Sequence, residues 1–90
     1  MMSEATPDDG IASPFRSVIE VVVRALVDQP ASVSVTETQR QGMRLLELRM
    51  SPGDMGKIIG RQGRTAAALR TLLAVTAEKH GARAQLDIRD

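Results

Sequence analysis

Residues Gly56–Thr65 read GKIIGRQGRT and place three glycines and three basic side chains in ten positions. Only the isoleucine pair, Ile58 and Ile59, adds apolar surface to this stretch. This composition predicts a flexible, positively charged turn, because glycine adopts backbone angles that are closed to other residues. The sequence on either side shows what the turn connects.

The turn is flanked by two helical patterns. Asp54 is placed to cap a short helix, and Gly60 ends that helix as a C-terminal glycine does. A long helix restarts at Gly63 or Arg64 and continues to about His80. The quoted stretch is therefore predicted to be a helix, a four-residue turn and a second helix.

Strand patterns lie on both sides of this helical pair. Val33 and Val35 alternate with polar residues, TQRQG at 38–42 forms a turn, and the apolar residues of 46–50 alternate again with charged ones. These two strands are predicted to pair as an antiparallel hairpin. The last strand covers residues 84–88, where apolar and polar side chains again alternate.

The chain begins with a predicted leader and a predicted helix. Residues 1–12 carry Ser, Thr, Pro, Asp and Gly and are expected to be disordered, which leaves 13–90 as one domain. Ser13 is placed to cap a helix whose first residue is Pro14. The apolar residues that follow at helical spacing are Phe15, Val18, Ile19, Val22 and Leu26. The β-branched run within VIEVVVRALV also fits a strand, but the length and the Ser-Pro start favour a helix that ends at 28–30.

Three kinds of glycine-containing, phosphate-binding turn can be compared with the stretch at 56–65. A Walker loop needs Gly-Lys followed by Ser or Thr, whereas here Gly56-Lys57 is followed by Ile58. A dinucleotide-binding turn needs Gly-x-Gly, which this chain lacks. The remaining type is a Gly-x-x-Gly clamp between two helices, in which the second helix directs free N–H groups towards a phosphate. The turn from Gly60 to Gly63 matches this type.

The segment IIGRQGR at 58–64, within the order α-β-β-α-α-β, resembles the KH domain, a module that clamps about four single-stranded nucleotides. A helix and a strand precede the βααβ core, which is the order of the bacterial type II form. The segments LVDQP, SPGDMGKIIGRQGRTAAALRTLL and LDIRD are similar to the bacterial KhpA family of small KH proteins. The resemblance implies an α+β fold with a three-stranded mixed sheet and three helices packed on one of its faces.

The resemblance also implies a function and a site. Members of this family bind RNA as general or regulatory RNA-binding proteins and associate with themselves or with a larger Jag-type KH protein. The implied RNA-binding residues are Lys57, Ile58, Ile59, Gly60, Arg61, Gln62, Gly63 and Arg64. Ile58 and Ile59, with parts of the second strand, would line an apolar groove for the bases.

Composition restricts the alternatives. The chain has 90 residues, a net charge of +1, no cysteine, a single phenylalanine, Phe15, and a single histidine, His80. These counts leave no catalytic triad and no thiolate metal site, so we expect no enzyme activity, no metal and no cofactor. No apolar run is long enough to span a membrane, and we expect a cytoplasmic protein. The function predicted is a single-stranded RNA-binding protein, a general or regulatory RNA chaperone; the alternative is a protein-interaction subunit that acts through a partner KH protein.

The long helix also predicts self-association. One stripe should face the sheet, and it consists of Ala66, Leu69, Leu73, Thr76 and Ala77. The predicted dimer interface consists of Ala68, Thr71, Leu72 and Val75. Small side chains would let two copies of the helix approach, with Leu72 as the anchor. The alternative is that Leu72 packs under the first helix and that the remaining small residues lie harmlessly on the surface.

Overall fold

The first helix starts and ends at sequence-encoded signals. The structure, a computed structural model, describes residues 13–90, so the predicted leader lies outside the described residues. Helix α1 spans Pro14–Leu26. The Ser13 hydroxyl oxygen accepts a hydrogen bond from the Arg16 N–H at 3.1 Å, which satisfies one of the donors that a helix N-terminus leaves unpaired. The helix prediction is confirmed and the strand alternative is wrong.

The buried face of α1 differs from the predicted stripe at its end. Phe15, Ile19 and Val23 are buried, but Leu26 is 43% exposed. Val27 is buried in its place, because the chain leaves the helix in an extended conformation (φ −89°, ψ 161°) that turns this side chain inward. Leu26, the last apolar residue at helical spacing, therefore lies outside the core.

The hairpin is longer than its sequence suggests. Strand β1 covers Ser34–Arg40 and strand β2 covers Met43–Arg49, and they pair antiparallel. Only Gln41 and Gly42 form the turn, both with positive φ, 52° and 79°. Two consecutive positive φ values are typical of a type I′ turn, whose twist matches that of the two strands, and so the strands continue to the turn itself. The prediction of a five-residue turn at 38–42 was wrong.

The rest of the chain completes one mixed sheet covered by helices. Helix α2 spans Met55–Ile59, helix α3 spans Arg64–Lys79 and strand β3 spans Arg83–Arg89. Strand β3 pairs parallel with β2, so the strand order is β1-β2-β3 with β2 in the centre. This order and the mixed sheet confirm the predicted α+β fold class. Within residues 13–90, no helix is long and apolar enough to cross a membrane.

All three helices contribute to a single core on one side of the sheet. The buried sheet residues include Val35, Leu46, Leu48 and Leu86, which alternate with exposed or half-buried neighbours. Burying each large aliphatic side chain contributes about 1.5–3 kcal/mol. The helix residues buried against them are Phe15, Ile19, Val23, Ile58, Ala66, Leu69, Leu73 and Ala77. The other side of the sheet has no helix over it in the described part of the chain.

Asp54 has a different role from the predicted one. It ends a 3₁₀ turn, Pro52–Asp54, in a helical conformation (φ −97°, ψ −5°), and its side chain makes no capping hydrogen bond to α2. A capping side chain requires an extended backbone at that position, so the prediction of a cap was wrong. The carboxylate is 2% exposed and accepts hydrogen bonds from the N–H groups of Asp28 and Gln29, both at 3.0 Å. It therefore joins the exit of α1 to the start of α2.

Candidate nucleic-acid interface

The turn between α2 and α3 depends on Gly60. Its backbone (φ 78°, ψ 169°) lies in a region that is accessible essentially only to glycine. A Cβ at this position would lie 2.3 Å from Thr65 Oγ1 and 2.8 Å from the Thr65 backbone nitrogen. The turn therefore folds directly onto the first turn of α3, at a distance that excludes any side chain.

The two residues before α3 adopt left-handed conformations. Gln62 has φ 57° and Gly63 has φ 73°. A left-handed conformation costs an L-residue about 1–2 kcal/mol, and such strain concentrates at ligand clamps and switch regions. The side chains of Arg61, Gln62 and Arg64 are exposed. Among the described residues, the Arg64 guanidinium donates a single long hydrogen bond, 3.4 Å, to the Gln62 side-chain oxygen.

The N-terminus of α3 provides an electropositive surface under this turn. Gly63 occupies the capping position, and no side chain of residues 13–90 caps the helix. The first N–H groups of any helix lack partners within the helix, and its dipole places partial positive charge there. Arg61 and Arg64 add two cations that form no ion pair within residues 13–90. The arrangement can hold a phosphate group between backbone donors and guanidinium groups.

The residues just before the turn differ in how much charge or apolar surface they offer to a ligand. Lys57 Nζ lies 3.1 Å from Asp28 Oδ2, and this hydrogen-bonded carboxylate raises the pKa of Lys57. Its positive charge is thus partly compensated within the protein. Ile58 is fully buried in the core, whereas Ile59 is 39% exposed. Of the isoleucine pair, only Ile59 offers surface to a ligand as the structure stands.

The charge of the described domain is higher than that of the whole chain. All twelve Lys and Arg residues lie within 13–90, whereas Glu4, Asp8 and Asp9 precede this range and leave eight acidic residues within it. The described domain therefore has a net charge of +4 with histidine neutral. The uneven distribution of charge between residues 1–12 and 13–90 can be counted in the sequence, but it is not visible in the net charge of the whole chain.

A groove between α3 and the free edge of β3 extends away from the turn. Arg70 Nη2 donates a hydrogen bond of 3.4 Å to the Leu86 carbonyl oxygen on that edge. Beyond it lies an open cavity of about 560 Å³. Its lining residues are Thr71, Ala74, Val75, Ala77, Glu78, Ala82, Arg83 and Ala84. Arg70 was not predicted from the sequence; its position on α3 next to the buried stripe was the available signal.

The outer surface of α3 matches the predicted pattern in part. Ala66, Leu69, Leu73 and Ala77 are buried and Thr76 is half-buried, as expected for the stripe that faces the sheet. The four predicted interface residues, Ala68, Thr71, Leu72 and Val75, are all exposed. Leu72 is 44% exposed and Val75 is 58% exposed, so both leave about half of their apolar side chain accessible to solvent.

Comparison with known proteins identifies the family. The family model described as "KhpA/KhpB, KH domain" matches residues 16–88. The chain belongs to the KhpA/KhpB family of KH-domain proteins. It is 45% identical over 73 residues to the RNA-binding protein KhpA of Treponema pallidum, covering 81% of this chain and 91% of that one. It is 40% identical over 74 residues to KhpA of Clostridium perfringens, covering 82% and 99% respectively.

Solved structures with this fold include the protein Era. The chain superposes with a TM-score of 0.58 and 17% identity on Era in complex with MgGDPNP and nucleotides 1506–1542 of 16S ribosomal RNA. The match covers 98% of this chain and 35% of that one, so it corresponds to about a third of Era. At this identity the likeness concerns the fold alone. Together with the family match, the observed element order confirms the KhpA resemblance and the type II KH fold.

Proposed function

We propose that this protein binds single-stranded RNA through the turn from Gly60 to Gly63. The observation that carries the proposal is the uncapped N-terminus of α3, which lies beneath a turn that admits no side chain at Gly60. Two cations without ion pairs within residues 13–90, Arg61 and Arg64, flank it. The KhpA relatives are named RNA-binding proteins, which supports RNA as the ligand.

Each residue of the clamp has a distinct role in this proposal. Gly60 and Gly63 let the backbone approach the nucleotide chain closely, while Arg61 and Arg64 bind its phosphates. Gln62 is held outward and can donate to or accept from a base or a sugar. The accessible part of Ile59 contacts a base, and buried Ile58 holds α2 in place beneath it. Lys57 contributes less, because Asp28 already pairs with it.

The proposed mode of action is binding without catalysis. Residues 13–90 form the RNA-binding KH module, and the protein acts in the cytoplasm as a general or regulatory RNA chaperone. Single-strand binders of other folds stack bases on aromatic rings, but the one phenylalanine here, Phe15, is 3% exposed. The apolar contacts to bases therefore come from aliphatic side chains, which favours modest affinity and broad selectivity.

A second function rests on the exposed surface of α3. Leu72 and Val75 are large apolar side chains left 44% and 58% exposed, and Ala68 and Thr71 lie one helical turn before them on the same surface. We propose that this surface pairs with a second copy of the chain or with a Jag-type KH protein, as the family resemblance implies. Two linked clamps would bind longer RNA more tightly by avidity. In the alternative function, this interface matters more than RNA contact.

A charge-reversal experiment tests the clamp. The double variant Arg61→Asp/Gln62→Asp places two carboxylates where phosphates would lie and leaves both glycines in place. The control is Lys79→Asp/Ala31→Asp, which changes the net charge equally at two exposed positions. Lys79 lies about 22 Å from Arg64 along α3, at 1.5 Å per residue. Fluorescence anisotropy with a labelled mixed-sequence single-stranded RNA measures the affinity of each variant.

The expected result is at least a tenfold loss of affinity for the clamp variant and less than threefold for the control. Both variants should melt within a few degrees of the unsubstituted protein, because all four positions are exposed. Equal losses of affinity in the two variants would show that the overall charge of the protein, and not the clamp, determines RNA binding. An unchanged affinity of the clamp variant would leave the α3 interface as the better account of the function.

A further inference from the structure

The uncovered face of the sheet carries a second set of basic and apolar residues. The strand register places Arg40 opposite Met43, and Met43 opposite Arg83, so these three residues form one row across the sheet. Because side chains alternate between faces along each strand, the members of this row and those two positions further on share the open face. The next rows are Thr38, Leu45 and Gln85; then Thr36, Glu47 and Asp87; then Ser34, Arg49 and Arg89.

The charges on this face are divided between its two ends. At one end, Arg89 Nε lies 3.2 Å from Glu47 Oε2 and 2.8 Å from Asp87 Oδ2. Arg49 Nε lies 3.4 Å from Glu47 Oε1. The two arginines and two carboxylates of this end therefore compensate one another.

The other end has no such compensation. Arg40 and Arg83 are exposed and make no ion pair or side-chain hydrogen bond with any residue in the part of the chain that the structure describes. The backbones of Arg40 and Arg83 are separated by two strand spacings, about 9–10 Å. Guanidinium groups so placed, one on each edge strand, suit two phosphates of one strand that crosses the sheet.

The surface between the two arginines suits nucleobases. Met43 and Leu45 lie on the central strand and are half-buried, so part of the apolar surface of each side chain is accessible. Thr38 and Gln85 stand on either side of Leu45, exposed, and supply hydrogen-bonding groups. A base can rest on the aliphatic centre while its edge meets a polar neighbour, Thr38 or Gln85.

A path of cations without ion pairs in residues 13–90 joins this face to the clamp. From Arg64 at the start of α3, Arg70 follows about 9 Å along the helix and contacts the β3 edge at the Leu86 carbonyl. Arg83 lies three residues before Leu86 on the same strand and also lines the groove between α3 and β3. It therefore stands where the groove meets the open face.

We propose that an RNA strand held at the Gly60–Gly63 clamp continues along this groove, passes over the β3 edge and lies on the open face of the sheet, where Arg83 and Arg40 bind its phosphates. This inference rests on the proposed function and extends it. The clamp alone serves a short RNA, and the sheet face adds contacts only for a longer one. The protein thus has a length-dependent affinity even as a single copy.

The test compares two double variants on the same face. Arg40→Ser/Arg83→Ser removes the two uncompensated arginines, and Arg49→Ser/Arg89→Ser removes two arginines that are already paired with carboxylates. Each is titrated by anisotropy against a five-nucleotide and a fifteen-nucleotide mixed-sequence RNA over a range of salt concentrations. Protein concentrations are kept low, and light scattering confirms equal oligomeric states, so that avidity does not contribute.

The first double variant should bind the long RNA roughly tenfold more weakly, with the slope of log K against log salt shallower by about 1.4, which corresponds to two phosphates on a single strand. Its affinity for the short RNA should change less than twofold. The control should lose less than threefold on both lengths. Arg40→Lys/Arg83→Lys, which keeps the charge, should retain the salt slope, and the nearly unchanged short-RNA affinity of Arg40→Ser/Arg83→Ser shows that its loss does not come from misfolding.

Two results would overturn the inference while leaving the clamp intact: an unchanged affinity for the long RNA in Arg40→Ser/Arg83→Ser, or equal losses in the two double variants. Failure of the proposed function is distinct, because the unsubstituted protein would then bind neither RNA. In that case an uncompensated basic face would fit an acidic protein surface, and both RNA proposals would be wrong.

Discussion

Replacing Gly60 by alanine should damage this protein far more than replacing either neighbouring glycine. The new Cβ would lie 2.3 Å from Thr65 Oγ1, 2.7 Å from Thr65 Cβ and 2.8 Å from the Thr65 nitrogen. The last of these contacts involves backbone, which cannot rotate away as a side chain can. The turn would have to separate from the start of α3, and α3 supplies four residues to the core.

The magnitude follows from two contributions. A non-glycine residue in the Gly60 backbone region costs about 1–3 kcal/mol. Forcing an additional methyl group against packed atoms typically costs about 1–3 kcal/mol more. The free energy of unfolding should therefore fall by about 2–6 kcal/mol, a large part of the about 5–15 kcal/mol by which small domains are stable.

Two matched substitutions separate these contributions. Gly63 has φ 73°, but a Cβ added there would meet no atom within 4 Å, so Gly63→Ala should cost only the strain of about 1–2 kcal/mol. Gly56 lies within α2, has no positive φ and also has open space around it. Gly56→Ala should stabilise the protein by about 0.5–1 kcal/mol, because alanine restricts the unfolded chain and favours the helix.

Urea unfolding, followed by far-ultraviolet circular dichroism, measures the free energy of unfolding of the three variants. Fluorescence is not suitable, because the chain has no Trp or Tyr. The slope of free energy against urea should stay constant, so that the midpoints order the variants. A Gly60→Ala protein as stable as Gly63→Ala would refute the close approach to Thr65. Adding Thr65→Ala to Gly60→Ala should restore only part of the loss, because the backbone nitrogen remains.

Three further predictions concern single side chains. Asp54→Asn should destabilise the protein by about 1–3 kcal/mol in the same urea assay, because an amide cannot accept from both the Asp28 and Gln29 N–H groups; a loss under about 0.5 kcal/mol would contradict this role. Arg61→Ala should weaken RNA binding about fivefold at about 0.1 M salt, the effect of one phosphate contact, and Lys57→Ala less than twofold, because Lys57 is already paired. A larger loss of RNA affinity in Lys57→Ala than in Arg61→Ala would contradict this prediction. Leu72→Asp should halve the mass measured by light scattering without lowering the melting temperature; a parent protein that is monomeric at about 100 μM contradicts the homodimer.

Several features of the fold and of the candidate site could be predicted because their causes are local. The Ser13-Pro14 start of α1, the glycines that end α2 and start α3, and the alternation of β2 and β3 all act over a few residues. Local rules also placed the four-residue turn between two helices, which together with the element order indicates the family. The boundary of β1 was not predicted correctly, because a two-residue turn at Gln41-Gly42 lets the strand run further than the turn-forming composition suggested.

Only the tertiary structure decided which groups meet across the chain. Asp54 binds backbone groups 25 and 26 residues away, and no nearby pattern could show that its carboxylate would turn from α2 to those donors. The same holds for Ile58, which packing buries completely while Ile59 beside it stays accessible. The open face is a product of register: Arg40 and Arg83 lie 43 positions apart in sequence, yet the parallel placement of β3 beside β2 puts them in one row. Sequence by itself determined the elements and the charged turn, since propensities, caps and turns act over neighbouring residues, whereas the pairing of β3 and the partners of each charge arise from the packing of distant segments around a shared core.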